Sequence, residues 1–280
     1  MNRLIVLFFL FFHLSSFAQD ERKVLVESLL EGIRTEKDIR YNTGDRPLLL
    51  DVYYPESYKE GEILPCVVWI HGGALVDASL DKNYDLIRWG VARTVHSGYI
   101  SVSIDYRLIT ESPLPTAIQD CATAIRFLKS HAGQYGIDTM RIAVVGESAG
   151  GYLAGMFSYT CNTNIFTTNE WKGVSNQVAC GVLWYPALNY EPYNMIDYIS
   201  PDDIPVISVH GDKDSTVPIN RSFQLQRKSA EKGLSFQLHI IEGAQHGFFD
   251  DTWKFNEANR KYMEQAIQVT VDYINRQLYK

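Results

Sequence analysis

The chain has 280 residues, with 26 Lys and Arg against 33 Asp and Glu and a formal net charge of −7. That acidic balance excludes the electrostatic footprint of a nucleic-acid binder or of a protein drawn to anionic membrane. The four cysteines, Cys66, Cys121, Cys161 and Cys180, are widely spaced in apolar stretches such as "LPCVVWI". With no CxxC or Cys/His cluster for zinc, they read as buried free thiols, and Cys161–Cys180 is the pair to check for a bridge.

The chain opens "MNRLIVLFFLFFHLSSFAQDE", with Arg3 before an apolar run and small residues at Ser16 and Ala18. This is the layout of a secretory signal peptide cleaved after Ala18. The run is well short of the roughly 20 residues that span a bilayer, and no cysteine marks a lipid-anchor site. The expectation is an exported protein, periplasmic or secreted, without a stable membrane anchor. Residues 19–280 are a length that one large α/β domain fills.

Short apolar runs then alternate with segments of helical period. "PLLLDVYYP" alternates as a half-buried strand does, and "LPCVVWIHGG" reads as a fully buried one. "YISVSIDYR" is a third, rich in β-branched residues. In "PTAIQDCATAIRFLKSHAGQYG", Ile118, Cys121, Ala122, Ile125 and Leu128 line one helix face, with a stop near Gly133. "RIAVVG" is a strand and "AGGYLAGMFSYT" a helix. "VACGVLWYP" and "IPVISVHGDKD" are two more strands. "NRSFQLQRKSAEKG" is an amphipathic helix ending at Gly233, "SFQLHIIEG" the last strand, and "NEANRKYMEQAIQVTVDYINRQL" a long closing helix. The alternation predicts a mostly parallel sheet with helices on both faces. Two polar, aromatic-rich interruptions, "CNTNIFTTNEWKGVSNQ" and "NYEPYNMIDYISPDD", are expected over the ligand crevice.

Between "RIAVVG" and its following helix lies "GESAGG", residues 146–151. A lone G-x-S-x-G is weak, but here a strand leads into Ser148 and a helix leads away, the context of a nucleophile elbow. A serine in such a tight turn projects its hydroxyl above the sheet edge. Gly146 and Gly150 then lie where side chains would collide, and the Ala149 N–H faces the reacting oxygen. An unassisted hydroxyl is a poor nucleophile and needs a base within hydrogen-bond reach. His246 lies in the loop after the last strand, flanked by small residues. The other histidines sit in a strand (His239), at a strand end (His210), in polar helix-end contexts (His96, His131) or in "HGG" (His71). The base needs a carboxylate to fix its tautomer. Asp214 is placed to reach across to the next loop, while Asp212 is suited to tying down its own turn. "WIHGGALVD" follows a strand, so the N–H groups of Gly72 and Gly73, with that of Ala149, are candidates to receive an oxyanion. His71 anchors that loop.

The order "HGGA", "SIDYRL", "PTAIQDC", "GESAGG", "HGDKDSTVP", "AQHGF" resembles α/β-hydrolases of the hormone-sensitive-lipase-like carboxylesterase group, from about Pro47 to the C-terminus. It is similar to secreted bacterial esterases that remove acetyl or feruloyl groups from plant polysaccharides. The resemblance implies an α/β-hydrolase fold without a large lid domain and a Ser148–His246–Asp214 triad working by acyl transfer. It further implies a small-molecule or carbohydrate ester substrate, no metal or organic cofactor, and a substrate pocket near Ala74, Glu147, Trp184 and Tyr185. Two departures stand out. Ala74 and Leu75 replace the third glycine and the aromatic residue that usually follow "HGG", and "ITESPLP" replaces the usual Ala-Pro-Glu after "DYRL". Asp105 and Arg107 are expected to brace loops under the site. The same triad serves peptidases and amidases, and the same fold serves catalytically silent binding modules. The former normally add a large gating domain, and the latter tend to lose a triad member.

Overall fold

The computed structural model describes residues 22–250 and 256–279, so the expected signal peptide lies outside the described residues. The described chain enters through a helix, α1, over residues 22–30. Strands β1 (Thr35–Arg40), β2 (Leu49–Tyr53) and β3 (Leu64–Ile70) follow, then helix α2 (Asp85–His96) and strand β4 (Ile100–Ile104). Helices α3 (Thr116–Ser130) and α4 (Ala132–Tyr135) lead to β5 (Ile137–Glu147), and α5 (Ala149–Ser158) leads to β6 (Cys180–Trp184). A short hairpin, β7 (Asn189–Tyr190) and β8 (Tyr193–Asn194), precedes β9 (Val206–Gly211). Helix α6 (Asn220–Lys232), β10 (Phe236–Ile241) and α7 (Glu257–Leu278) complete the order.

Eight strands form one sheet in the order β1-β2-β4-β3-β5-β6-β9-β10. Only β1–β2 and β2–β4 pair antiparallel, and every other neighbouring pair is parallel. Residues alternate across the pleat, which divides the core in two. In β3, Cys66, Val68 and Ile70 face α3 and α5, and Val67 and Trp69 face α1, α2 and α7. Helices therefore cover both faces of the sheet, as the alternation predicts.

Three details differ from the sequence reading. The helix through Ile118 stops at Ser130, and a further turn ends at Gly136, whose φ of 67° supplies the left-handed terminus that was expected near Gly133. The segment after α5, residues 161–177, enters β6 from the N-terminal end of that strand. It lies at the sheet edge opposite the one where β5 delivers Ser148, and only its Phe166 reaches the rings of Tyr193 and Tyr198. The second interruption does follow the C-terminal end of β6: Tyr152 donates to Tyr193 O at 2.8 Å, and its ring lies 4.8 Å from Tyr190. Finally, Cys66, Cys121 and Cys161 are buried free thiols, so a Cys161–Cys180 bridge is not formed.

Candidate active site

Because β3, β5, β6, β9 and β10 run parallel, their C-terminal ends share one edge, and the loops that leave it converge. In register, Ile70 pairs with Gly146 and Glu147 with Trp184. The turn into α5 sits at the centre of that edge. Ser148 has φ 55° and ψ −115°, a left-handed conformation costly for a residue with a side chain. Its backbone is pinned on both sides: Ser148 N donates to Trp184 O at 2.9 Å, and Ser148 O accepts from Ala187 N at 3.1 Å. A Cβ on Gly146 would strike the Gly150 carbonyl, and one on Gly150 would strike the carbonyls of Ile70 and His71. The glycines around Ser148 are thus demanded by close backbone approach.

His246 follows β10 in a turn where Gly247 and Phe248 both have positive φ, 72° and 59°. Its Nδ1 lies 2.8 Å from Asp214 Oδ2 and its Nε2 lies 3.1 Å from Ser148 Oγ. An ionised carboxylate only accepts, so Nδ1 carries the proton and Nε2 accepts from the Ser148 hydroxyl. Asp214 is fixed from the other side, where Oδ1 accepts from Thr216 N at 2.9 Å and Val217 N at 2.8 Å. Burial pushes the Asp214 carboxyl up, but hydrogen bonds from His210 and His246 and the charge of His246 outweigh it and hold it at about 2. Asp212 is elsewhere, with Oδ1 accepting from Gly243 N at 2.6 Å to tie the turns after β9 and β10 together. The structure therefore brings Ser148, His246 and Asp214 into one hydrogen-bonded line and leaves Asp212 outside it.

The loop after β3 corrects the sequence reading. Gly72 does not offer its N–H to the crevice, because it donates to Glu147 Oε1 at 2.5 Å. A Cβ at Gly72 would collide with that carboxylate, which accounts for glycine there. Burial raises the Glu147 carboxyl, opposed by the proximity of His246 and the Gly72 N–H. Glu147 is thus a brace beneath the loop, not a wall of the substrate pocket. The N–H of Ala149 stands in the first turn of α5 without an intrahelical acceptor. Gly73, at φ 98°, and Ala74, at φ 52°, continue the loop, and Leu75 follows at φ 62°. With Gly72 removed, Gly73, Ala74 and Ala149 are the donors the loop and helix can offer.

His71 anchors this loop from within: its Nδ1 lies 2.9 Å from Gly72 O, and its ring stacks on Tyr106 at 4.3 Å. Burial holds the His71 imidazole down at about 4. Sequence reasoning passed over Tyr106, whose hydroxyl lies 2.8 Å from His71 O and 2.9 Å from Gly72 O. Its signal was its place in "SIDYR", just past β4 and beside the braces Asp105 and Arg107. Asp105 Oδ1 accepts from Lys82 N at 2.9 Å, and Arg107 grips Asp120 through Nε and Nη2.

Two further pocket candidates are also reassigned. Trp184 is 0 % exposed and turns into the α7-side core, where Nε1 donates to Thr270 Oγ1 at 2.9 Å and the ring meets Trp69 and Phe248. Glu147 ends β5 opposite Trp184 in register. Tyr185 is likewise fully buried, and its ring lies edge-on to His246 at 4.6 Å and to Phe248 at 4.8 Å. It supports the imidazole. Ala74, by contrast, is exposed at the loop. Among the described residues no group of three or more His, Cys, Asp or Glu is arranged to hold a metal ion.

A parallel sheet that presents serine, imidazole and carboxylate at the ends of β5, β10 and β9 is the arrangement of an α/β-hydrolase. The family model described as BD-FAE matches residues 50–191, just over half of the chain, and the chain belongs to that family. It is 31% identical over 163 residues to esterase LipI of Mycobacterium tuberculosis, an alignment covering 58% of this chain and 47% of that one. It is 40% identical over 144 residues to the ethyl acetate hydrolase of Pseudomonas putida, covering 49% of this chain and 44% of that one. The chain thus spans about half the length of these relatives. Among solved structures it is similar to a truncated carbohydrate esterase from gut microbiota, with a TM-score of 0.73 at 20% identity over 88% of this chain and 97% of that one.

Proposed function

We propose that the protein is a serine carboxylic-ester hydrolase for short-chain acyl esters, with acetyl or feruloyl groups on plant polysaccharides as its substrates. The observation that carries this reading is the hydrogen-bonded line from Ser148 Oγ through His246 to Asp214, at 3.1 and 2.8 Å. Ser148 Oγ attacks the ester carbonyl carbon while His246 Nε2 takes its proton. The tetrahedral oxyanion lies against the N–H groups of Ala149 and of the Gly73–Ala74 loop. Collapse expels the alcohol, which receives the proton from His246, and leaves an acyl-serine. Water then repeats the sequence and releases the acid.

Short acyl groups are supported by the similarity to an ethyl acetate hydrolase. The polysaccharide side of the reading rests on the sequence resemblance to secreted esterases. Residues 19–280 act as one domain in this proposal, exported after cleavage near Ala18. No helix among the described residues is long and apolar enough to cross a membrane. The purified protein is expected to hydrolyse p-nitrophenyl acetate faster than the octanoate ester and to release acetate from acetylated xylan. Ser148→Ala, still folded, should lose at least about 10³-fold in kcat. Equal turnover by that variant would move the chemistry to another residue.

A further inference from the structure

Behind Asp214 lies a second histidine that the proposed reaction does not use. His210 is the penultimate residue of β9 and is 0 % exposed, as are Ser208 on the same strand and Ser222 on α6. Its Nε2 lies 2.8 Å from Val217 O and 3.4 Å from Asp214 Oδ2. A carbonyl oxygen can only accept, so Nε2 carries a proton and donates it to Val217 O, with Asp214 Oδ2 as a longer second contact at 3.4 Å. In the neutral ring Nδ1 is then an acceptor, and Ser222 Oγ, 2.7 Å away, must donate to it. That leaves Ser222 free to accept from Ser208 Oγ, 2.8 Å away. Each hydroxyl proton in this row has one consistent place, and the row ends on the carboxylate oxygen that also meets His246.

The geometry points to His210 as a positioning residue: with its tautomer set by Ser222, it holds Asp214 Oδ2 toward His246 and takes part of that oxygen's charge. This rests on the ester-hydrolase reading of Ser148, His246 and Asp214. Two things follow from the sharing of Oδ2. The Val217 turn that supplies N–H to Asp214 Oδ1 is also clamped through its carbonyl, so one imidazole fixes both ends of the carboxylate's support. And Oδ2, already engaged by His210, pulls less strongly on the His246 proton than an undivided carboxylate oxygen would. The other ionisable groups around this pair are Asp212 with Lys213 in the same turn, paired at 3.4 Å, Tyr185 after β6, and Glu147, which acts on His246 from β5.

The test compares His210→Leu, which cannot donate, with His210→Gln, whose amide N–H reaches as Nε2 does. For p-nitrophenyl acetate, His210→Leu should lose roughly 10- to 100-fold in kcat with KM little changed. The acidic limb of its kcat/KM profile should move up by about half a pH unit, while His210→Gln returns both toward wild type. A part that only filled space would lower activity without moving that limb, and Leu would then match or exceed Gln. Equal kcat and equal acidic limbs for Leu and wild type would overturn the proposal. Imidazole nitrogen NMR on the unmodified protein gives a second test independent of turnover and of whether His210→Leu folds. The expected spectrum has His210 protonated at Nε2 and not at Nδ1. The opposite His210 tautomer would overturn it. A protein with this NMR signature but no esterase activity would instead refute the proposed function and leave the hydrogen-bond assignment standing.

Discussion

Ala74 sits at φ 52°, where a glycine would pay no steric penalty, and the loop it belongs to faces the Ser148 turn. A side chain in the left-handed region costs about 1–2 kcal/mol, against about 0.5–1 kcal/mol for the extra freedom of glycine in the unfolded chain. Ala74→Gly should therefore stabilise the protein by about 0.5–1 kcal/mol, read as a small rise in Tm. Asp214 and Asp212, two residues apart, offer a sharper contrast. With only Asp214 bonded to His246, Asp214→Asn should lower kcat about 10³- to 10⁴-fold, and Asp212→Asn should stay within about threefold of wild type. Steady-state rates on p-nitrophenyl acetate decide between them.

The strand ends and their loops work as braced units. Glu147 at the end of β5 reaches the Gly72 N–H, so the nucleophile's strand holds the loop after β3. Glu147→Gln keeps an acceptor there, while Glu147→Ala leaves the N–H unpaired and the loop loose. We expect the first within about threefold of wild type and the second down about 10- to 100-fold in kcat. Trp184 marks the end of β6, and its indole belongs to the α7-side core. Trp184→Ala should cost about 3–5 kcal/mol in denaturant unfolding, and Trp184→Phe should fold with the acetate-to-octanoate preference unchanged. A changed preference in the folded variant would return the indole to the acyl pocket. The elements that sequence failed to reveal have physical reasons. β1 reads "TEKDIR", a polar edge strand held by pairing with β2 and lacking apolar alternation. In α2, ten of twelve residues are buried, Arg88 and Asp85 among them, so no single apolar stripe was visible.

Across the whole molecule, the sequence made the parallel architecture and the Ser148–Asp214–His246 set legible because each residue follows a strand of the parallel sheet at a glycine-marked turn. It did not reveal that Gly72 is spent on Glu147, that Trp184 faces inward, or that Tyr106 and His210 lie behind the site. Those facts depend on side-chain direction and on contacts between segments far apart in the chain. Burial also sets how the fold responds to pH. Asp214, held at about 2 against 3.8 for a free Asp, contributes stability that is present above pH 3.8 and lost as pH falls through about 2. Asp105, raised to about 6 chiefly by burial, acts in the opposite sense: its contribution is full below 3.8 and lost as pH rises through about 6. Asp105→Asn should therefore raise Tm at about pH 7.5 and leave it nearly unchanged at about pH 3.5, as thermal unfolding at the two values would show.

The central claim is that Ser148 is the activated nucleophile of this fold. Its most direct measurement is reaction of the folded protein with a fluorophosphonate, followed by peptide mass spectrometry. The account predicts a single phosphonylated peptide carrying the adduct on Ser148, absent after His246→Ala. An adduct on another residue, or a folded protein that takes up no label at Ser148, would contradict it.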